Sequence, residues 1–215
     1  MNTPFKCFAA AVVAAGLMFS ASAVEFKDYD YGAYSQAVTE CDRFASHSRD
    51  PGHVAPGVTS SEMDKEAAIA ACQKDVAKDP DNPRLNYQLG RAYGYSGRGE
   101  EAMPYRLKAV EAGYPQSLFV IGYLYKLGRT IEQDTCEALV LWYRAAVHRR
   151  LAALVALPRH YMRGDFDECG ITISKGDMGD FLEEATRHTS DYYVGMLIED
   201  LKAELEDWQP EQTRP

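Results

Sequence analysis

The sequence predicts an all-α protein, a solenoid built from helix-turn-helix units stacked side by side. Three observations carry this. Apolar residues recur at three- and four-residue spacing through most of the chain after residue 33, the period of an amphipathic helix. Tyr93, Tyr125 and Tyr161 follow one another at 32 and 36 residues, close to the repeat length of helical solenoids. Strand signals are nearly absent, and only 171–174 reads as β-like. One helical pair cannot bury its apolar face alone, whereas stacked neighbours can.

In chain order, residues 1–23 read as an export signal peptide. Lys6 supplies the positive start, an apolar run covers 8–19, and Ala21-Ser22-Ala23 is a small-x-small cleavage pattern. The run is shorter than the roughly 20 residues that span a bilayer. No later stretch is apolar enough to do so, and no membrane insertion is expected after cleavage. Cys7 lies within the apolar run and not just behind a cleavage site, which argues against a lipoprotein. Cleavage after Ala23 and a periplasmic or secreted destination are therefore expected.

Residues 24–32, acidic and aromatic, read as a flexible arm. Residues 33–80 read as a helical pair around a loop. The first helix, 33–46, places Tyr34, Ala37, Val38, Cys41, Phe44 and Ala45 on one face, and Pro51, Gly52, Pro56 and Gly57 mark the loop. The second helix, 64–78, carries Ile69, Cys72 and Val76, and Asp79-Pro80 ends it.

Residues 81–170 hold the repeats. Asn82 is a natural N-cap, with Pro83 at the first helical position. Leu85, Leu89, Ala92 and Tyr93 form a stripe, 97–99 a turn, and Ala102, Tyr105 and Ala109 a second stripe. The pattern restarts with Leu118, Ile121, Gly122 and Tyr125, followed by Ala138, Leu141, Trp142 and Ala145. It restarts again with Leu154, Leu157 and Tyr161. Residues 171–208 read as two capping helices. Met178, Phe181, Leu182 and Ala185 mark the first; the second is capped by Ser190, with Val194, Leu197, Ile198, Leu201, Leu205 and Trp208 inward. Residues 209–215 form a tail.

Composition narrows the function classes. The net charge is −9, opposite to what nucleic acid and anionic membranes require. Beyond the leader four cysteines remain, Cys41, Cys72, Cys136 and Cys169. An even count in an exported chain reads as two disulfides. Cys-x-x-Cys pairs and zinc-finger spacing are both absent, so no metal or cofactor is expected. Nucleophile-elbow, phosphate-loop and zinc-protease motifs are missing too. The five histidines are scattered, and the carboxylate pairs sit on helix surfaces. Asp28-x-Asp30-x-Gly32 has its glycine one place early for a calcium loop. Arg163-Gly164-Asp165 spells an adhesion tripeptide, but the turn alone accounts for Gly164. No catalytic residue is assigned.

Certain residues resemble a known family. Leu89-Gly90-x-x-Tyr93, Ala102, Ala109 and Pro115 are similar to a tetratricopeptide repeat. Residues 117–128, reading SLFVIGYLYKLG, with Asp134, Ala138, Trp142-Tyr143 and Ala145-Ala146, resemble a Sel1-like repeat, as does the linker 111–115. Thr130 stands where a second glycine is usual, and the Trp142-Tyr143 pair comes one place late. Pro158 replaces the glycine of the third unit, and Pro104 falls inside the second helix of the first. The resemblance implies a right-handed α-solenoid and a role in protein–protein interaction. In such a stack equivalent turns lie side by side, which implies the pairing Cys136–Cys169. Cys41 and Cys72, on the apolar faces of consecutive helices, would then pair with each other.

By the same resemblance the first helix of each unit lines a groove. Mapped from Gly90 and Gly122, the groove positions are Arg84, Tyr87 and Arg91 in the first unit and Gln116, Phe119, Tyr123 and Lys126 in the second. Alignment on Tyr161 adds Arg159 from the third. A groove of cations and aromatic rings suits a protein or peptide partner with an acidic segment or a free C-terminus. The expectation is therefore an exported, non-enzymatic interaction module, scaffold, adaptor or regulator. The alternatives are an enzyme acting on envelope polymers through dispersed carboxylates, and a self-associating structural protein.

Overall fold

The computed structural model describes residues 23–209, which contain nine α-helices and no strand. The expected leader up to Ser22 and most of the tail lie outside these residues. Helices α1 (Glu40–Ala45) and α2 (Lys65–Lys78) form the N-terminal pair. Three units follow: α3 (Pro83–Tyr95) with α4 (Gly99–Glu111), α5 (Pro115–Leu127) with α6 (Thr135–Val147), and α7 (Leu151–Met162) with α8 (Lys175–Arg187). Helix α9 (Tyr192–Asp207) closes the stack. Each helix packs on its predecessor and successor, and α1 also reaches α3. The result is an all-α solenoid.

The helix starts follow from local chemistry. Asn82 caps α3 by accepting from the Arg84 amide, with Pro83 at the first helical position. Asp64 and Asp134 cap α2 and α6, and Ser174 forms a capping box with Asp177. The cap of α9 is Asp191, which accepts from the Tyr193 and Val194 amides, and not the expected Ser190. A carboxylate there satisfies two orphan amides and complements the helix dipole. Pro104 and Pro158 both lie within continuous helices, α4 and α7.

The repeat glycines mark close crossings within a unit. A methyl group at Gly122 would stand 2.5 Å from Cδ1 of Trp142 and 3.2 Å from the Ala138 carbonyl. At Gly90 it would meet Cγ of Arg106 at 2.6 Å and the Ala102 carbonyl at 3.3 Å. In the first two units the first helix thus lies directly on the second through matching positions. Trp142 fills the space beside the crossing and donates from Nε1 to the Phe119 carbonyl at 3.0 Å. Thr130 adopts φ 67°, a left-handed conformation that a β-branched residue rarely takes. The backbone geometry normally given to glycine is kept there without the glycine.

Two disulfides brace the ends, Cys41–Cys72 between α1 and α2, and Cys136–Cys169 between α6 and the turn after α7. Their sequence separations are 31 and 33 residues. Closing loops of that length contributes roughly 3–4 kcal/mol apiece on the chain-entropy model.

The N-terminal region differs most from expectation. Only Glu40–Ala45 of the expected 33–46 helix is helical. Thr39 and Asp42 form a capping box that starts the helix at Glu40. The residues before it stay largely extended, with Tyr34 half-buried and Ala37 and Val38 exposed. Their carbonyls are needed elsewhere: Arg84 donates to the Ser35 and Ala37 carbonyls at 3.0 and 3.2 Å and to Asp42 at 2.9 Å. Nor is 24–32 a loose arm. Lys27 N donates to the Val147 carbonyl at 3.0 Å, Tyr29 Oη to the Ala112 carbonyl at 3.2 Å, and Asn82 Nδ2 to the Ser35 carbonyl at 3.2 Å. The segment is a strap that crosses three successive turns between units.

Two stability changes are expected. Asp42→Ala leaves the buried Arg84 guanidinium without its counter-ion and should cost about 3–5 kcal/mol in denaturant unfolding. Gly122→Ala forces Trp142 out of its seat and should cost about 1–3 kcal/mol. An unchanged unfolding midpoint for Gly122→Ala would mean that the two helices do not cross so closely.

Candidate functional site

The sequence-predicted groove is closed at its first unit. Arg84, Tyr87 and Arg91 are 2%, 3% and 5% exposed. Arg84 holds Asp42 and the 35–37 backbone, as described. Arg91 donates to the Ala45, Ser46 and Val58 carbonyls at 3.0, 3.0 and 2.6 Å. The long loop between α1 and α2 therefore lies over α3 and consumes the groove cations of that unit. This corrects the expectation that these three side chains are open to a partner. A buried guanidinium calls for hydrogen-bond partners, and the loop carbonyls supply them to both terminal nitrogens of Arg91, its Nε alone having none among the described residues.

The second unit is divided. Gln116 is buried: it donates to Tyr87 Oη at 2.9 Å and accepts from Arg150 Nε. Phe119 is half-buried, stacked on Trp142 at 5.8 Å, with the Arg150 guanidinium 5.4 Å from its centroid. Lys126 pairs with Asp165 at 2.7 Å, and His160 Nδ1 meets the same carboxylate at 2.6 Å. The aspartate of the adhesion-like tripeptide is thus engaged within the chain. Tyr123 is 45% exposed and stands apart from the cleft described next.

The open space lies over α7. A cleft of about 600 Å³ has Leu151, Ala152, Val155 and Ala156 as its floor. One wall is the 48–53 part of the loop and the other is 188–191 with Val194 and Leu197 of α9. Arg49, Arg149, Arg150 and Arg159 line it, together with His53, His160 and His188. Of the residues predicted from the sequence, Arg159 alone faces this space. Its Nε is buried with no hydrogen-bond partner among the described residues. Arg49, Arg149 and Arg150 were not foreseen as lining residues. The sequence signal was the His148-Arg149-Arg150 run, which also suits an ordinary helix C-terminus.

Arg149 deserves its place by conformation as well as charge. It takes φ 57° in the turn where the preceding unit has Gly113. Its guanidinium reaches Glu184 at 2.6 Å and Asp28 at 2.7 Å and lies 5.4 Å from the Phe26 centroid. A glycine would relax the backbone and forfeit all three contacts.

Arginines outnumber carboxylates in the cleft lining although the protein is acidic: Arg49, Arg149, Arg150 and Arg159 stand against Asp50 and Asp191. Burial, reinforced by Arg91, Arg150 and Arg49, lowers the His47 pKa to about 4. Asp50 is the one fully buried acid of the wall. Tyr114 Oη lies 2.9 Å from both of its carboxylate oxygens, and Gly52 N donates to Oδ1 at 3.0 Å. Burial raises its pKa to about 6, and the Gly52 and Tyr114 hydrogen bonds and Arg150 only partly offset that. The loop thus presents its own carboxylate to the Tyr114–Arg150 side of the cleft. Among the described residues no group of His, Cys, Asp and Glu could hold a metal ion, and no helix is long and apolar enough to cross a membrane.

Asp50 sets a pH dependence with a definite sign. Its folded pKa exceeds the unfolded value of 3.8, so its contribution is fully present below about pH 4 and is lost as pH rises through about 6. Asp50→Asn should therefore raise the melting temperature relative to the parent at pH 7.5, and the advantage should shrink at pH 4.5. Equal differences at the two pH values would show that Asp50 titrates normally.

No protein-family model matches the chain, and no curated protein does either. Among solved structures it is similar to a Sel1 repeat protein from Oxalobacter formigenes, at 22% identity over 60% of this chain and 97% of that one, with a TM-score of 0.50. It is also similar to c5321, a protective antigen present in uropathogenic Escherichia coli strains that displays an SLR fold. There the identity is 16% over 79% of this chain, with a TM-score of 0.55, and this chain spans 34% of that protein's length. The likeness is one of architecture: the chain has the Sel1-like repeat fold.

Proposed function

We propose that this protein is an exported protein–protein interaction module, active in the periplasm, that takes an acidic segment of a partner protein into the cleft over α7. The observation that carries the reading is Arg159, which lines the cleft, makes no ion pair among the described residues and has a buried Nε with no hydrogen-bond partner there. It stands above an apolar floor, in a chain of net charge −9. A carboxylate from the partner would gain charge-assisted hydrogen bonds there, and an apolar side chain beside it would cover Val155, Val194 and Leu197. The open stretch of groove is narrower than the sequence implied, because Arg84, Tyr87 and Arg91 are spent on the chain itself. Phe119 serves this site through Arg150, while Tyr123 and Lys126 belong to a neighbouring surface. The two disulfides support an oxidising destination.

The test is fluorescence anisotropy with a labelled peptide of alternating Glu and Leu, beside the same peptide carrying Lys in place of Glu. The acidic peptide should bind and the basic one should not. Arg159→Ala should weaken binding about tenfold, as expected for a lost charge-assisted hydrogen bond, with an unchanged melting temperature. Affinity should fall between about 50 and about 300 mM salt. Equal binding of both peptides, or full affinity in Arg159→Ala, would sink the assignment.

A further inference from the structure

The strap ends in a contact whose chemistry depends on how the chain begins. Val24 N lies 3.0 Å from Oδ2 of Asp180 on α8, in a partly buried position. Asp180 makes no ion pair among the described residues, and the Val24 nitrogen is the one hydrogen-bond donor it has there. Its neighbours on the same surface are differently placed. Glu184, one turn along α8, is surrounded by Arg149, Arg187 and His188. The Val24 and Phe26 side chains pack against the C-terminal core, with the Phe26 ring 6.0 Å edge-on from Phe181. Ala23, by contrast, is exposed. The point at which the strap becomes seated is thus the bond that follows Ala21-Ser22-Ala23.

From this juxtaposition we propose that Val24 and Asp180 form a processing-dependent lock: cleavage after Ala23 converts the amide hydrogen bond into an ion pair between a Val24 α-ammonium and Asp180, which only the processed chain can make. The step is hydrolysis of the Ala23–Val24 peptide bond by a signal-peptidase-class endopeptidase. The C–N bond breaks and water is added. Ala23 keeps a carboxylate, and Val24 gains an amino group that is protonated at neutral pH. Before cleavage the nitrogen is a neutral amide donating one hydrogen bond. After cleavage it is a cation on a half-buried carboxylate that lacks one, and charge-assisted hydrogen bonds of this kind are about twice as strong as neutral ones. Because the strap crosses the turns at 147–149, 112–114 and 82, fixing its first residue on α8 ties the last unit to the first. The mature protein would therefore be more tightly closed than its precursor by a contact outside the repeats.

The experiment uses the full chain exported with its own leader. Intact mass and N-terminal sequencing of the purified product should give Val24 as the first residue; any other start overturns the proposal. Asp180→Asn is then made in two backgrounds, the exported chain and a chain that retains Ser22-Ala23 ahead of Val24. The readout is the rate of tryptic cleavage after Lys27 in the strap, under conditions where the rest of the fold resists. In the exported chain Asp180→Asn should speed cleavage about two- to fivefold, the size of a partly exposed ion pair. In the extended chain, which cannot form that pair, the same substitution should change the rate much less. Equal effects in both backgrounds would show that the amide and not the amine makes the contact, and the lock would be discarded.

Discussion

The buried pair between Arg84 and Asp42 constrains everything N-terminal to the repeats. Asp42 is fully buried, and beyond Arg84 it accepts from Gln88 Nε2 at 2.9 Å and from Thr39 N and Oγ1 at 2.8 and 2.9 Å. Such a carboxylate is tolerable in an interior only when its lone pairs are filled and a cation stands beside it. Arg84 has donors left over, and they require carbonyls. The 35–37 segment supplies these only if it is extended, which is why α1 cannot begin at residue 33. One satisfied charge pair thus sets the start of a helix, the path of the segment before it, and the closure of the groove at the first unit.

Arg91 repeats this logic about two turns further along α3. Its three carbonyl contacts hold both ends of the α1–α2 loop, and the loop brings Asp50 to Tyr114. Side chains that face outward on a bare repeat are turned inward by an added segment. The solenoid holds its own N-terminal region over the groove positions mapped for its first unit. What stays available is the face of α7, which the loop borders but does not cover.

This explains which parts of the molecule were legible in the sequence. The repeats were, because helical period, turn glycines and cap residues are local signals: Asn82, Pro83, Gly90 and Gly122 each act within their own unit. The disulfide pairing followed from the stacking order. The strap and the loop were not legible, because their conformation is fixed by long-range contacts such as Arg84 to Ser35 and Lys27 to Val147, which leave no periodic trace. Ala33 to Ser46 does show helical period, yet tertiary demand overrides it over its first half. The groove mapping failed at Arg84, Tyr87 and Arg91 for the same reason. It treated the repeat as bare, whereas accessibility belongs to the whole chain. Arg159 fits the mapping because no added segment crosses α7 at its level.

The cleft is cationic because of pairing and not because of composition. Lys+Arg number 23 against 32 Asp+Glu, and many of the cations outside the cleft are matched locally: Arg98 with Glu101, Lys108 with Asp81, Lys202 with Glu183 and Glu199. Such pairs cancel their own fields over a Debye length of roughly 8 Å. Inside the cleft Arg149 is paired as well, with Glu184 and Asp28, but the other arginines are not. Arg49 and Arg159 have no acid partner among the described residues, Arg150 spends its Nε on the neutral Gln116, and Asp50 is held partly protonated near pH 6 by burial. The pKa of His47, beside the wall, is depressed first by burial and further by Arg91, Arg150 and Arg49. On the proposed reading, the unpaired arginines of this opening would draw a partner's carboxylates to one place on an otherwise acidic chain.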